Sequence, residues 1–404
     1  MTSLSGARRV PVASAAAATS VAERPGAPAV APGRLSGFGD RMRRSTWRPG
    51  AIYLASRAVV VLTMGLVAVF GGGSLGGRIY RWDSIWYLRA SENGYPTHLP
   101  MGHGHVLANT IAFFPGLPLL IRGLSGLTGM SQFSAGVAIS SITGLTATIG
   151  VWALVREYAG DKAANRATIL FAFFPGSFVF SMIYSEGLVI TGAAFGILAL
   201  MRRKWILAGL LGLMATAAAP IALAFVVCCA WAAVGAIRRD RDWRSLAAPI
   251  LAPLGTLAYL FWIWRHTGVA SAFSQTERGG WRSFLSIAYP FRIIGGYLTH
   301  PLSSYANDTL VFFCIIGVVV AVVIGLRDRQ PSLVMLYGAT VGALAILTAP
   351  VGPRPRIILD AFPLILAVAV RYQDGWKYRL AVGTSAILLV AFTAYQVGSF
   401  AVFP

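Results

Sequence analysis

Long apolar runs bounded by arginine govern what this chain can become. The first, Ala51 to Phe70, has Arg57 as its single charge and follows directly on Arg41, Arg43, Arg44 and Arg48. Crossing a bilayer takes roughly 20 apolar residues, and a helix is the form in which their backbone groups pair internally. Comparable runs recur at about Phe133 to Val155, Ala163 to Met182, Glu186 to Met201, Trp205 to Ala218, Pro220 to Ile237, Leu246 to Trp264, Tyr305 to Leu326, Leu333 to Thr348, Ile357 to Val370 and Leu380 to Val402. The expected fold class is all-α, a polytopic transmembrane helical bundle of about 11 spans.

The composition agrees, with 56% hydrophobic and 12% charged residues, which lies outside the soluble globular range. A net charge of +20 would suit nucleic acid if it formed one basic face. Here it falls in short clusters between apolar runs, so it reads as a topology signal and no nucleic-acid partner is expected. Residues 1–46, rich in Ala, Pro, Ser and Arg and without apolar periodicity, are expected to be a disordered basic cytoplasmic tail. Residues 47–404 form the membrane domain. Cys228, Cys229 and Cys314 all fall inside apolar runs, as small buried hydrophobes do, and offer no disulfide framework or metal site.

The basic cluster before Ala51 puts the N-terminus inside and the stretch after Phe70 outside. Asn109 to Gly129 is apolar but carries Pro115, Pro118 and Arg122. Counted as a full span, it would send the Arg202–Lys204 and Arg238–Arg244 clusters outside. It is therefore expected to be re-entrant or interfacial, in the first outer loop.

Three polar features then converge on the outer side. In Arg78 to Tyr95, Asp83 lies among Tyr80, Trp82, Trp86 and Tyr87, with Arg81 beside it. That is an acid on an aromatic platform, or equally an interfacial amphipathic helix with a solvated acid. Tyr184, Ser185 and Glu186 interrupt two apolar runs. An ionisable residue at the mouth of a span is a functional candidate, although Ser185 followed by an acid is also good capping chemistry. Arg354 and Arg356, held extended by Pro353 and Pro355, precede a run containing Asp360. They suit a phosphate clamp, with Asp360 able to orient one arginine, or simple interfacial snorkelling. His98, His103 and His105 have metal-ligand chemistry, but in a Gly-rich loop without preformed geometry, so no metal site is assigned and a divalent-metal requirement stays open. The chain has no GxSxG, HExxH or Walker loop.

RWDSIWYLRASENGY, AFFPGLPLL at Ala112 to Leu120 and YSEGL at Tyr184 to Leu188 together resemble the PIG-V family of mannosyltransferases, in order and spacing. The resemblance covers roughly Ala51 to Pro404. It implies a GT-C-class membrane glycosyltransferase using a polyprenyl-phosphate-mannose donor, with Asp83 as the catalytic acid of the first outer loop and the YSE motif at Tyr184, Ser185 and Glu186. One departure is ATAAAPIAL, where Ala219 and Pro220 stand in place of the arginine turn that relatives often carry.

On this reading Asp83 is the general base of an inverting transfer to a lipid-linked or glycan acceptor. Arg81, Trp82, Trp86, Tyr87, Tyr184, Ser185, Glu186, Arg354 and Arg356 bind substrate. Membrane lipids surround the protein, a protein partner is left open, and a plasma membrane with the site on the extracytoplasmic face is expected. A lipid-linked sugar transporter and a non-catalytic subunit of a glycolipid mannosyltransferase are the alternatives.

Overall fold

The apolar runs close into helices because, in a bilayer, their backbone N–H and C=O groups have only one another as partners. The computed structural model describes residues 47–301, 306–372 and 375–399; the expected tail, residues 1–46, lies outside them. Among the described residues, five helices are long and apolar enough to cross a membrane. They are α1 (Trp47–Phe70), α5 (Gln132–Ala172), the Pro220–Asp240 segment containing α8 (Leu223–Asp240), α13 (Ala306–Arg327) and α17 (Trp376–Gly398). Two bent pairs raise the number to seven if each is one span. These are the 3-10 turn Pro175–Ser181 with α6 (Glu186–Met201), bent by 110°, and Trp243–Leu251 with α10 (Leu254–Thr267), bent by 41°. The chain is an integral membrane protein, but the expected count of about 11 spans is not confirmed. The difference lies in α7 (Trp205–Ala218), α14 (Ser332–Leu347) and α16 (Phe362–Arg371), which are apolar yet shorter than the roughly 20 residues a simple crossing takes.

Two of the expected spans are joined. α5 runs through both, bending at Gly160, whose φ of 82° and ψ of 175° a residue with a side chain rarely adopts. α5 packs along α6, α1, α16 and α4 (Gly116–Thr128), and so forms the spine of the bundle. Buried on nearly every face, α6 lies at the centre, as an all-round apolar helix must. A Cβ at Gly187 would lie 2.5 Å from Thr143 Oγ1, so only glycine lets the start of α6 sit this close to α5.

The Asn109–Gly129 stretch forms a 3-10 turn, Thr110–Ala112, followed by α4. Thirteen residues at about 1.5 Å each make about 20 Å, short of a hydrocarbon core of about 30 Å. α4 buries Leu117, Pro118 and Ile121 and exposes Leu119, Leu120 and Leu127, an amphipathic arrangement. The His98–His105 loop becomes a hairpin, with Gly102 paired to His105 and the turn at His103 and Gly104, both at positive φ. A second pairing, Phe284 with Ala349 and Leu285 with Thr348, ties α11 (Ala272–Gly280) and its following turn to the strand leading into Arg354 and Arg356.

Candidate active site

α2 (Leu75–Ile79) and α3 (Asp83–Asn93) meet at Trp82, whose φ of 55° is costly for a residue with a side chain, at about 1–3 kcal/mol. The last turn of α17 holds the joint. Trp82 Nε1 donates to Gln396 O at 2.9 Å, and Arg78 Nη1 donates to Val397 O at 3.0 Å. Carbonyls at a helix C-terminus lack intrahelical donors and sit at the negative end of the dipole, so indole and guanidinium donors bind there. Asp83 is thereby delivered as the first residue of α3, where a carboxylate suits the positive dipole end.

The Tyr184–Glu186 break packs directly against it. Asp83 N donates to Tyr184 Oη at 3.3 Å, Ile183 N donates to Ser84 Oγ at 3.1 Å, and the Tyr87 and Ser185 hydroxyls share a hydrogen bond of 2.7 Å. Ser185 makes no side-chain cap for α6, because its hydroxyl is turned to Tyr87. Burial pushes the Tyr87 hydroxyl well above its usual pKa, with Glu186 and Asp83 adding to the shift. It therefore serves as a neutral hydrogen-bonding group.

The third feature closes the cluster. Arg356 donates from Nη1 to Asp83 Oδ2, its Nε lies 3.4 Å from Glu186 Oε1, and its guanidinium lies 5.3 Å from the Tyr184 ring centroid. One planar cation thus bridges two carboxylates over an aromatic face, a geometry that suits arginine and not lysine. Its position depends on Gly176, where a Cβ would fall 2.1 Å from Pro355 O; the turn after α5 lies directly against the start of α15 (Pro355–Asp360).

Asp83, Tyr87, Tyr184, Ser185, Glu186 and Arg356 therefore meet in one place. Arg81 and Trp82 adjoin them but face α17, with Arg81 Nη1 3.5 Å from Ser399 O. Trp86 packs one turn along α3, stacked on Phe113 and under Arg89 at 4.9 Å. Arg354 donates from Nη2 to Asn307 Oδ1 at 2.9 Å. Asp360, expected to orient an arginine, forms an ion pair with neither; it is buried, its Oδ1 unpartnered, because Arg356 reaches across to α3 and α6 instead. Among the described residues no group of three His, Cys, Asp or Glu is placed to hold a metal. The last turn of α7, just before Ala219 and Pro220, abuts the FFPG turn: a Cβ at Gly116 would lie 2.8 Å from Ala217 O.

One acid was not anticipated. Glu277 on α11 is half-buried, and burial raises its carboxyl pKa to about 7, with a Ser283 hydrogen bond opposing and the Asp83 carboxylate adding. A polar stretch, SQTERGGWRS, was its only signal in the chain. A separate cavity of about 480 Å³, between Leu200, Trp205, Trp231 and Arg239, lies at the other end of α6 and contains none of these residues.

A multi-crossing helical protein with a carboxylate, a second acid and a bridging guanidinium at one end of its bundle has the parts of a membrane-embedded group transferase. Residues 54–237, which include Asp83, the FFPG turn and Tyr184–Glu186, match the family model for Mannosyltransferase (PIG-V). Over that stretch, a little under half of its length, the chain is similar to the PIG-V mannosyltransferases. No curated protein matches it significantly. Among solved structures it is similar to ArnT from Cupriavidus metallidurans bound to undecaprenyl phosphate, at 14% identity and a TM-score of 0.47 over 83% of this chain and 62% of that one. It is also similar to the archaeal oligosaccharyltransferase AglB from Archaeoglobus fulgidus, in complex with an inhibitory peptide and a dolichol-phosphate. That likeness has 14% identity and a TM-score of 0.47 over 87% of this chain and 56% of that one. The chain spans less than two thirds of each.

Proposed function

We propose that this protein moves a mannosyl residue from a polyprenyl-phosphate donor to a lipid-linked or glycan acceptor at the extracytoplasmic face of the plasma membrane. Bridging of Asp83 and Glu186 by Arg356 carries the reading, because it sets a base beside the one guanidinium that both acids address. The family match supports the sugar, and the polyprenyl-phosphate donor is part of the proposal.

In the transfer, the acceptor hydroxyl oxygen attacks the anomeric carbon as Asp83 takes its proton. The bond from that carbon to the phosphate oxygen breaks, and the polyprenyl phosphate departs as an anion. Arg356 stabilises the charge that develops there. The leaving group needs no proton, so one carboxylate suffices, and a single displacement inverts the anomeric configuration. When donor phosphate engages Arg356, the guanidinium is shared between phosphate and acids, which loosens its hold on Asp83 and leaves that carboxylate open to the acceptor. Glu186 keeps Arg356 anchored throughout.

The test is a purified, lipid-reconstituted protein given polyprenyl-phosphate mannose labelled in the sugar, with membrane lipid extract as acceptor. Acceptor-dependent appearance of a labelled glycolipid or glycan is expected, with the anomeric configuration opposite to that of the donor. Label that crosses the bilayer without a new glycosidic bond would replace the reading with transport.

A further inference from the structure

Beside Asp83 stands a wall built from α11 and the turn after it. Trp281 sets its ring edge-on to Trp86 at 5.2 Å and to Phe113 at 5.5 Å, while Trp86 stacks on Phe113 at 6.0 Å with an interplanar angle of 7°. Trp86 follows Asp83 by one helical turn on the same side of α3. The wall is braced on two sides. Thr276 Oγ1 accepts from Asn109 Nδ2 at 3.2 Å, and a Cβ at Gly280 would lie 2.6 Å from Ala108 Cα. Beyond Ser283, the Phe284–Leu285 pairing with Thr348–Ala349 joins the same segment to the strand before Arg354 and Arg356.

Two polar groups in this wall stand close to Asp83 and the aromatic rings. Trp281 Nε1 is buried and has no hydrogen-bond partner, an arrangement native proteins rarely keep unless a ligand or water supplies the acceptor. The Glu277 carboxyl accepts a hydrogen bond from Ser283 and is close enough to Asp83 for their charges to interact. Flat aromatic faces next to a carboxylate acceptor and an indole donor match a sugar ring, which offers an apolar C–H face and a rim of hydroxyls.

We propose that Glu277 and Trp281, with Trp86 and Phe113, form the acceptor subsite, and that it takes a carbohydrate ring. The ring packs its C–H face on Trp281, which Trp86 and Phe113 hold in place. Glu277 accepts from one ring hydroxyl, and Trp281 Nε1 donates to another. The assignment rests on Asp83 and Arg356 as the transfer centre, and it narrows the acceptor to a molecule that already carries sugar.

The experiment uses the full chain in detergent, with methyl α-mannopyranoside as probe and saturation-transfer NMR as the readout. Wild-type protein should show sugar saturation. Glu277→Gln, and Trp281→Phe, which keeps the ring but removes the N–H, should each weaken it at least fivefold with unchanged melting temperature. Arg356→Lys should leave it within twofold. In transfer assays, Glu277→Gln should raise the acceptor KM with kcat within threefold and donor binding unchanged. Absence of saturation in the wild type, saturation in the two wall variants equal to that of the wild type, or loss of polyprenyl-phosphate binding in them would each overturn the proposal. If sugar binding follows the wall variants while Asp83→Asn still transfers mannose, the subsite stands and the transfer centre falls.

Discussion

Arg356 and Asp83, 273 positions apart in the chain, form an ion pair at the mouth of the helical bundle. Both side chains are mostly enclosed, at 17% and 24% exposure. A pair in such surroundings is held as much by the groups around it as by its own attraction, and Glu186, Tyr184 and Gly176 are those groups here.

Asp83→Asn preserves the shape of the side chain and the backbone bond to Tyr184 but removes the carboxylate proposed as the proton acceptor. Mannose transfer is expected to fall by about 10²- to 10⁴-fold, the usual contribution of a general base. The protein should elute and melt as a folded species, and labelled-sugar transfer in reconstituted membranes measures the loss.

Arg356→Ala leaves two carboxylates facing each other without their cation. The expected destabilisation is roughly 1–3 kcal/mol, below the roughly 3–5 of a fully buried pair because these groups retain some solvent contact. Adding Glu186→Gln should recover part of it, since one of the two unpaired charges is then gone. Thermal melting of the single and double variants reads the coupling.

Gly176→Ala touches no acid and no arginine, yet its Cβ would run into Pro355 O. Displacing the start of α15 carries Arg356 away from Asp83. A stability cost of about 1–3 kcal/mol is expected from overpacking, with a drop in transfer larger than Asn or Gln changes at exposed outer positions produce. Activity measured well below the melting temperature separates the two effects.

Glu277 imposes a pH dependence with a defined sign. Its carboxyl titrates at about 7 in the folded protein against an ordinary 4.5, chiefly through burial. The folded state therefore holds a proton that the unfolded state has released between those values. The associated stability is complete below about 4.5 and is lost as pH rises through about 7. Between those limits the wild-type melting temperature should fall more steeply than that of Glu277→Gln. Parallel melting curves would exclude the effect.

Much of the chemistry was legible before any fold. Asp83 and Glu186 stood out because acids are rare in a chain that is 12% charged, and each interrupts or borders an apolar run where desolvation makes an idle carboxylate costly. Arg356 was visible as an arginine at a membrane edge, but its partners were not. Asp360 lies four residues on and looked the natural match, whereas the helix packing directs Arg356 to Asp83 and Glu186. Trp82 read as a ligand-facing aromatic, and the structure ties its indole to the last turn of α17. Glu277 and Trp281 were missed altogether, because an acid and a tryptophan in a polar loop are indistinguishable from solvated surface until their neighbours are known.

The sequence by itself determined the environment: runs of apolar side chains must form membrane helices, and arginine clusters must stay at their ends, since both follow from local transfer energies that composition and spacing express. Tertiary structure alone decided which ends meet. The Asp83–Arg356 pair and the Trp86–Trp281 contact depend on close approaches at Gly176 and Gly280. Such approaches arise from the packing of helices distant in sequence, and no periodicity within a single segment encodes them.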